Sequence, residues 1–347
     1  LLLHMYWQCF VLLYALSWLY ASLPFNTRDM VLTTVASRNS SNERHEMDFA
    51  QPNNTAMIRS CRNHHHHLDN KPISSETLLV VVNYHYAYYK SVSFFDNEYF
   101  PEFCKLYNYD FDVLFIGVEE DKKNRVISNG LLPKGYMSQR SVHTAWEYVG
   151  EEYSLRYAGL LFMNDDSYVD PINLNEMNLS YSYYEGNVPL QRGNNWLCWD
   201  WRYGNRSAFR YNVKGAIEEI NASPELKSVC GEWRWDAMQH GKSDFFYITR
   251  DQLVLFLQFE DIFFKHYNFL EVAVYSTMKC LTTHSIRNCN HMPCRVSDYE
   301  FTHIHPLKYS KEANRRFAMT VMRRGFNRYE HYSFYVGRGR DVFHKDN

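Results

Sequence analysis

The sequence predicts an α/β domain built on a mostly parallel sheet flanked by helices. Three short runs carry that prediction: TLLVVVN (77–83), FDVLFIG (111–117) and GLLFMN (159–164). Each is nearly continuous in apolar residues and stops at glycine or asparagine. A strand buried on both faces reads this way, whereas a half-exposed strand alternates. Segments of helical character separate the runs, and strand–helix–strand order implies crossover connections.

The elements follow in order. The first run is rich in β-branched Thr77, Val80, Val81 and Val82, which suit an extended backbone. Residues 94–107 are predicted as an aromatic-rich helix, interrupted near Pro101 because proline lacks an N–H. The second run stops at Gly117, and 141–157 reads as a helix leading into the third run. The stretch 175–242 is rich in Trp, Tyr, Asn and Gly and has no clear period. SDFFYI (243–248) is a further strand. After it, Leu253, Phe256, Leu257 and Phe264 stand at helical spacing, and 269–281 forms one more helix. The basic, aromatic tail from about 311 is expected to wrap back onto the domain.

Composition excludes several classes. Of 347 residues, 46% are hydrophobic and 22% charged, which supports a packed core and rules out whole-chain disorder. Lys and Arg number 37 against 39 Asp and Glu, so the chain lacks the basic surplus of a dedicated nucleic-acid binder. With 14 glycines, no sustained heptad and one long apolar stretch, it is not collagen, coiled coil or a multi-span membrane protein.

That apolar stretch is 1–23, free of formal charge and long enough to span a bilayer as a helix. It reads as the signal-anchor of a type II membrane protein or as a cleaved signal peptide. Residues 24–76, polar and without period, then form a flexible stem, and 77–347 the folded domain. His64 to His67 belong to that stem as a solvated tract. Five N-x-S/T sequons, at Asn39, Asn53, Asn178, Asn205 and Asn221, agree with a secretory address. Cys9 lies in the apolar stretch, and seven cysteines follow it. In an oxidising compartment disulfides are expected, with Cys198–Cys230 and a bridge within Cys280–Cys294 as the pairs.

The sharpest chemical signal is Asn164-Asp165-Asp166-Ser167, at the carboxyl end of the third run. Open α/β sheets bind ligands in the crevice at those strand ends. Two adjacent carboxylates there suit Mg²⁺ or Mn²⁺, which takes oxygen ligands and shares them with substrate phosphates. The plainer alternative is a helix cap or Asx-turn.

Four patches then resemble the GT-A-fold glycosyltransferases, lumenal enzymes of the ER or Golgi membrane that use nucleotide sugars. The exostosin-like type is the nearest in character. LLVVVNYH, the patch that ends at His85, is similar to the family's opening strand, whose end contacts the nucleotide. FMNDDSYVD (162–170) matches the DxD-type metal motif, with Asn164 where relatives often carry a third acid. SDFFYI and FLEVAV (269–274) resemble the acceptor-side strand and acidic helix start. THIHPLKYS (302–310) is similar to the C-terminal His-Pro segment that returns to the metal or diphosphate.

The resemblance implies a metal-dependent transfer of a sugar from a nucleotide sugar to a hydroxyl of a glycan or glycoprotein. It implies Asp166 as metal ligand, Asp165 at the ribose or the metal's waters, and His305 as the C-terminal ligand or diphosphate contact. It places Asn83 and His85 at the nucleoside, adds the charge of Lys308, makes Glu271 the acid/base and sets Asp244 on acceptor hydroxyls. Mn²⁺ or Mg²⁺ is the implied cofactor.

Each assignment has a rival reading. A helix-start Glu271 favours the macrodipole without any catalytic role. His305 can be an ordinary core or surface histidine, and His303 is the alternative ligand. Trp196, Trp199, Trp201, Trp233 and Trp235 suit sugar faces but also core filling. The crowd of Cys and His from Cys280 to His305 raises a zinc site, although its spacing fits no standard pattern. A non-catalytic carbohydrate-binding or scaffold protein on the same fold is the other function.

Overall fold

The computed structural model describes residues 57–61, 77–87, 89–130, 138–154, 156–185, 206–234, 243–281, 283–286, 288–290, 293–295, 303–324, 332–335 and 343–345. The apolar stretch 1–23, most of 24–76 with its histidine run, and Asn39, Asn53, Asn205, Cys198, Trp196, Trp199, Trp201 and Trp235 lie outside them. Among the described residues no helix is long and apolar enough to cross a membrane.

The chain opens with β1 (Arg59–Cys61) and β2 (Thr77–Tyr84). Helical segment α1 follows as Val92–Phe94, a π-helical turn Phe95–Tyr99, and Phe100–Leu106. Next come β3 (Phe111–Gly117), β4 (Val126–Ser128), α2 (Arg140–Ser154) and β5 (Tyr157–Asn164). The middle holds β6 (Tyr168–Val169), α3 (Pro171–Asn175), β7 (Ser182–Glu185), α4 (Arg206–Ala222) and α5 (Pro224–Cys230). Then follow β8 (Phe245–Thr249), α6 (Arg250–Lys265), α7 (Leu270–Cys280), β9 (Thr283–Ile286), β10 (Asn288–Asn290) and β11 (Pro293–Arg295). The described part ends with β12 (His303–His305), α8 (Glu312–Arg324), β13 (Tyr332–Tyr335) and β14 (Phe343–Lys345).

The central sheet has the order β1-β3-β2-β5-β8-β7-β9, with β4 beside β3. Strands β4, β3, β2 and β5 run parallel, as the three apolar runs predict. Beyond β5 the sheet is mixed: β8 is antiparallel to both β5 and β7, and β7 is parallel to β9. The Asn164 N–H donates to the Asp244 carbonyl, so β8 begins where β5 ends. That reversal brings the end of β5 and the start of β8 together in the interior of the sheet.

Both faces are buried, which explains the unbroken apolar runs. Leu78, Val80, Val82 and Tyr84 join Phe111, Val113 and Phe115 on one face. Leu79 and Val81 join Leu114, Ile116, Leu160 and Phe162 on the other. Phe94, Phe95, Tyr99 and Phe103 of α1 cover the first face, with Phe317 and Val321 of α8. Val142, Phe256 and Val274, from α2, α6 and α7, cover the second. Each such buried side chain stabilises the fold by about 1.5–3 kcal/mol. Much of the high aromatic content is therefore core, packed edge to face around Tyr99 and Tyr309.

The helix over 94–107 is present, and its α-helical regularity is interrupted by the π turn Phe95–Tyr99 just before Pro101, while the chain stays helical to Leu106. Two expectations are corrected. Within the segment read as stem, Arg59–Cys61 pairs antiparallel with β3, and Cys61 forms a disulfide with Cys104 of α1. Cys230 bonds to Cys280, not to Cys198, and Cys280 is thereby lost to any bridge within 280–294 and to thiolate–zinc. The ends of α5 and α7 bring those two Cα atoms to 5.1 Å, a tertiary closeness that spacing cannot reveal.

Candidate functional site

The site grows from the register of two strands. β2 and β5 are aligned so that Asn83 stands beside Asn164, both fully buried. A buried amide must find partners, and here each serves the other: Asn83 Nδ2 donates to Asn164 Oδ1 at 3.1 Å. Asn83 Oδ1 accepts from Ser141 Oγ at 2.7 Å, and Ser141 Oγ accepts from Asn129 Nδ2 at 2.9 Å. At the other end Asn164 Nδ2 donates to Asp244 Oδ1 at 2.7 Å. Asp244 Oδ2 lies 3.3 Å from His305 Nδ1, and His305 Nε2 lies 3.0 Å from Asp166 Oδ1. One polar chain thus runs from the residue after β4 through α2, β2, β5, the residue before β8 and β12, and returns to the turn after β5.

That turn is held from several sides. The Asp165 N–H donates to the Asn83 carbonyl at 2.9 Å and the Ser167 N–H to the Asn164 carbonyl at 3.0 Å. β12 pairs antiparallel with β6, setting His303 opposite Val169. The Leu307 N–H donates to the Asp166 carbonyl, and Tyr309 Oη donates to the Ser167 carbonyl at 2.9 Å. His303 stacks on Phe245 and meets Ser167 Oγ at 3.0 Å, so it supports the turn and is not a ligand of the kind His305 offers.

The two aspartates are electrostatically unequal. Burial pushes the Asp165 carboxyl well up, and the neighbouring Asp166 charge adds to this, against the pull of His305 and Lys308. Burial also acts on Asp166, but His305, then His85 and Lys308, outweigh it and hold that carboxyl below the usual range. Asp166 therefore keeps its charge, and a cation placed here would relieve the burden on Asp165.

The donors fit a divalent ion. Asp166 Oδ1 is buried, and the approach of His305 Nε2 at 3.0 Å does not give it a hydrogen bond of good geometry. An oxygen and a nitrogen that far apart match two adjacent ligands of an octahedral ion with bonds of about 2.1 Å. Asp244 beside Nδ1 is the partner that orients a metal-binding imidazole through its other nitrogen. Among the described residues no three His, Cys, Asp or Glu side chains converge as a closed cage. An ion held here by these two side chains would have the rest of its sphere open to other oxygen ligands such as water, as Mg²⁺ sites commonly do.

The structure brings together Asn83, His85, Asp165, Asp166, Asp244, His305 and Lys308. Asn83 is sealed inside the chain with its amide engaged on both sides, so it positions Asn164 and does not reach a nucleoside. Asp244, predicted on the acceptor, has its oxygens on Asn164 and His305. Lys308 is exposed beside the aspartates and His85 half-buried. Glu271 lies half-buried in the first turn of α7. Trp233 stacks on Phe259 at 5.3 Å between ring centroids, which is core filling.

Sequence reasoning missed Ser141, Asn129 and the role of Asn164. Read as the loss of an acid, Asn164 is instead the link that a carboxylate could not be, since it must donate to Asp244. The available signal was that two parallel strands carry asparagine at their carboxyl ends, Asn83 as the penultimate residue of β2 and Asn164 as the last of β5.

No family model matches the chain, and no curated protein matches it. Among solved structures, the crystal structure of a glycosyltransferase involved in the glycosylation of the major capsid of PBCV-1 is similar at 12% identity. The match has a TM-score of 0.37 and covers 70% of this chain and 98% of that one. A likeness of this degree assigns no activity.

Proposed function

We propose that the protein is a GT-A-type glycosyltransferase. It moves a sugar from a nucleoside diphosphate sugar to a hydroxyl of a glycan or glycoprotein, and it depends on Mn²⁺ or Mg²⁺. The observation that carries this reading is the seating of Asp166 against His305 at a strand end, with Asp165 and Lys308 alongside. Asp166 and His305 would hold the ion, which when bound neutralises charge on the diphosphate leaving group. Asp244 fixes the His305 ring so that Nε2 faces Asp166. Asn164 and Asn83 hold Asp244 in turn, so the geometry exists before substrate arrives. Lys308 adds positive charge where the diphosphate develops negative charge. Asp165 takes the ribose hydroxyls or the ion's waters. Glu271 is proposed as the base that removes the acceptor hydroxyl's proton. The disulfides Cys61–Cys104 and Cys230–Cys280 suit an oxidising lumen of the ER or Golgi, with the 1–23 segment as anchor.

A thermal-shift panel of nucleoside diphosphate sugars, each with and without Mn²⁺, tests the reading. A bound donor at a hundredfold excess over its Kd stabilises the fold by about 2.7 kcal/mol. The shift should require Mn²⁺ and vanish in Asp166→Asn, whose ligand-free melting stays near wild type. Equal shifts in the variant, or none with any donor, would contradict it.

A further inference from the structure

We infer that Asn178 is an N-glycosylation site and that Asn221, which carries the same sequence pattern, is not. The inference goes beyond glycosyl transfer and stands if that reading fails. Both residues open an N-x-S sequon, Asn178-Leu179-Ser180 and Asn221-Ala222-Ser223, so the pattern alone cannot choose between them. The fold treats them differently.

Asn178 is exposed on a tight turn between α3 and β7. Its carbonyl accepts from the Tyr181 N–H at 3.0 Å, which closes the turn. Its side-chain Oδ1 accepts from the Ser180 N–H at 3.0 Å, an Asx-turn that leaves Nδ2 without a protein partner among the described residues. Two phenols brace the turn: Tyr183 Oη accepts from the Asn178 N–H at 3.0 Å, and Tyr247 Oη donates to the Leu179 carbonyl at 2.9 Å. The amide nitrogen is thus presented outward from a fixed backbone, with the Ser180 hydroxyl exposed two residues on.

Asn221 has both side-chain atoms in use. Nδ2 donates to the Trp233 carbonyl at 2.8 Å, and Oδ1 accepts from the Trp233 N–H at 2.9 Å. That pair fixes Trp233, whose ring stacks on Phe259. The sequon hydroxyl is also engaged: Ser223 caps α5 by accepting from the Leu226 N–H at 3.3 Å, with Pro224 next in the chain. A sugar on Nδ2 would lie against the Trp233 backbone.

The disulfides Cys61–Cys104 and Cys230–Cys280 indicate an oxidising compartment, where this modification is made. In the reaction, Asn178 Nδ2 bonds to the anomeric carbon of an oligosaccharide carried on a lipid diphosphate. The bond from that carbon to the diphosphate breaks, the lipid diphosphate leaves, and the amide gives one proton to a base of the transferring enzyme. The glycan stands clear of the candidate site. Ser182 Oγ, at the start of β7, accepts from the Thr249 N–H, and Thr249 pairs with Gly159 at the end of β5 opposite Asn164.

The test is site occupancy in the full chain secreted or retained by a eukaryotic cell. Glycans are removed enzymatically in heavy-oxygen water, and mass spectrometry reads the label at each asparagine. Asn178 should be labelled in most molecules and Asn221 at least tenfold less. Asn178→Gln and Ser180→Ala should each remove one glycan's mass from the protein. An unlabelled Asn178, or labelling of Asn221 equal to it, overturns the inference.

Discussion

Replacing Asn164 by aspartate is the sharpest probe of the polar chain. The side chains are nearly isosteric, but the variant has no donor to offer Asp244. Asn164 Nδ2 stands 2.7 Å from Asp244 Oδ1, so Asn164→Asp would set two carboxylate oxygens at that distance. Two unit charges there repel by roughly 6 kcal/mol at an effective dielectric constant of about 20. The alternative is for one carboxyl to keep its proton. From an unfolded pKa of about 3.9 and 1.36 kcal/mol per unit, this costs about 4 kcal/mol at pH 7 and about 1.5 at pH 5. The smaller cost wins, so the variant folds with a proton shared between the pair. The introduced carboxyl has a folded pKa above its unfolded one. Its penalty is therefore slight below the unfolded pKa and grows as pH rises, by up to about 1.4 kcal/mol per unit. Urea denaturation of both proteins at pH 5, 6 and 7, with chelator present, measures this directly. Equal losses at pH 5 and pH 7, or no loss at pH 7, would refute the donation from Asn164 to Asp244.

Other perturbations separate the remaining roles. Asp244→Asn removes the carboxylate that faces His305 Nδ1; Mn²⁺ affinity by calorimetry should fall about 10–100-fold, and an unchanged affinity would contradict the orienting role. Glu271→Gln should leave nucleotide-sugar and Mn²⁺ binding intact while transfer falls roughly 10²–10⁴-fold. Unaltered turnover with a slightly lower melting temperature would instead assign Glu271 to the helix start alone. Glu260 is buried in α6 with Thr277 Oγ1 at 3.3 Å, and burial pushes its carboxyl well above the usual range. Its neutral form suits the fold, so wild-type stability is lost as pH rises above the unfolded value of about 4.3. Glu260→Gln should escape that loss, and stability curves that stay parallel from pH 5 to pH 8 would exclude it.

How far the sequence reached follows from where its signals lie. β2, β3 and β5 were legible because burial on both faces leaves no polar interruption. The helices α6 and α7 were legible through their length and period, while β6 and β10, of two and three residues, are too short to carry any. Asp165 and Asp166 stood out because adjacent acids at a strand end are a local pattern. Their surroundings did not. Asp244 is 80 residues from Asn164 along the chain, and Ser141 is 58 from Asn83, distances closed only by strand register and the reversal of β8. The direction of β8 is set by pairing, not by its own apolar residues, so the mixed half of the sheet was unreadable. His305 entered through a resemblance; its spacing says nothing of Asp166. The disulfides failed for the same reason, since Cys230 and Cys280 meet where two helices end.

In the proposed reaction Asp166 and His305 bind one divalent ion together with a nucleoside diphosphate. Crystals soaked with Mn²⁺ and a nucleoside diphosphate sugar, measured at the manganese absorption edge, address it most directly. One anomalous peak is expected about 2.1–2.2 Å from Asp166 Oδ1 and from His305 Nε2, with diphosphate oxygens completing the sphere. A diphosphate bound elsewhere, or bound without manganese while His305 still rests against Asp166, would contradict it.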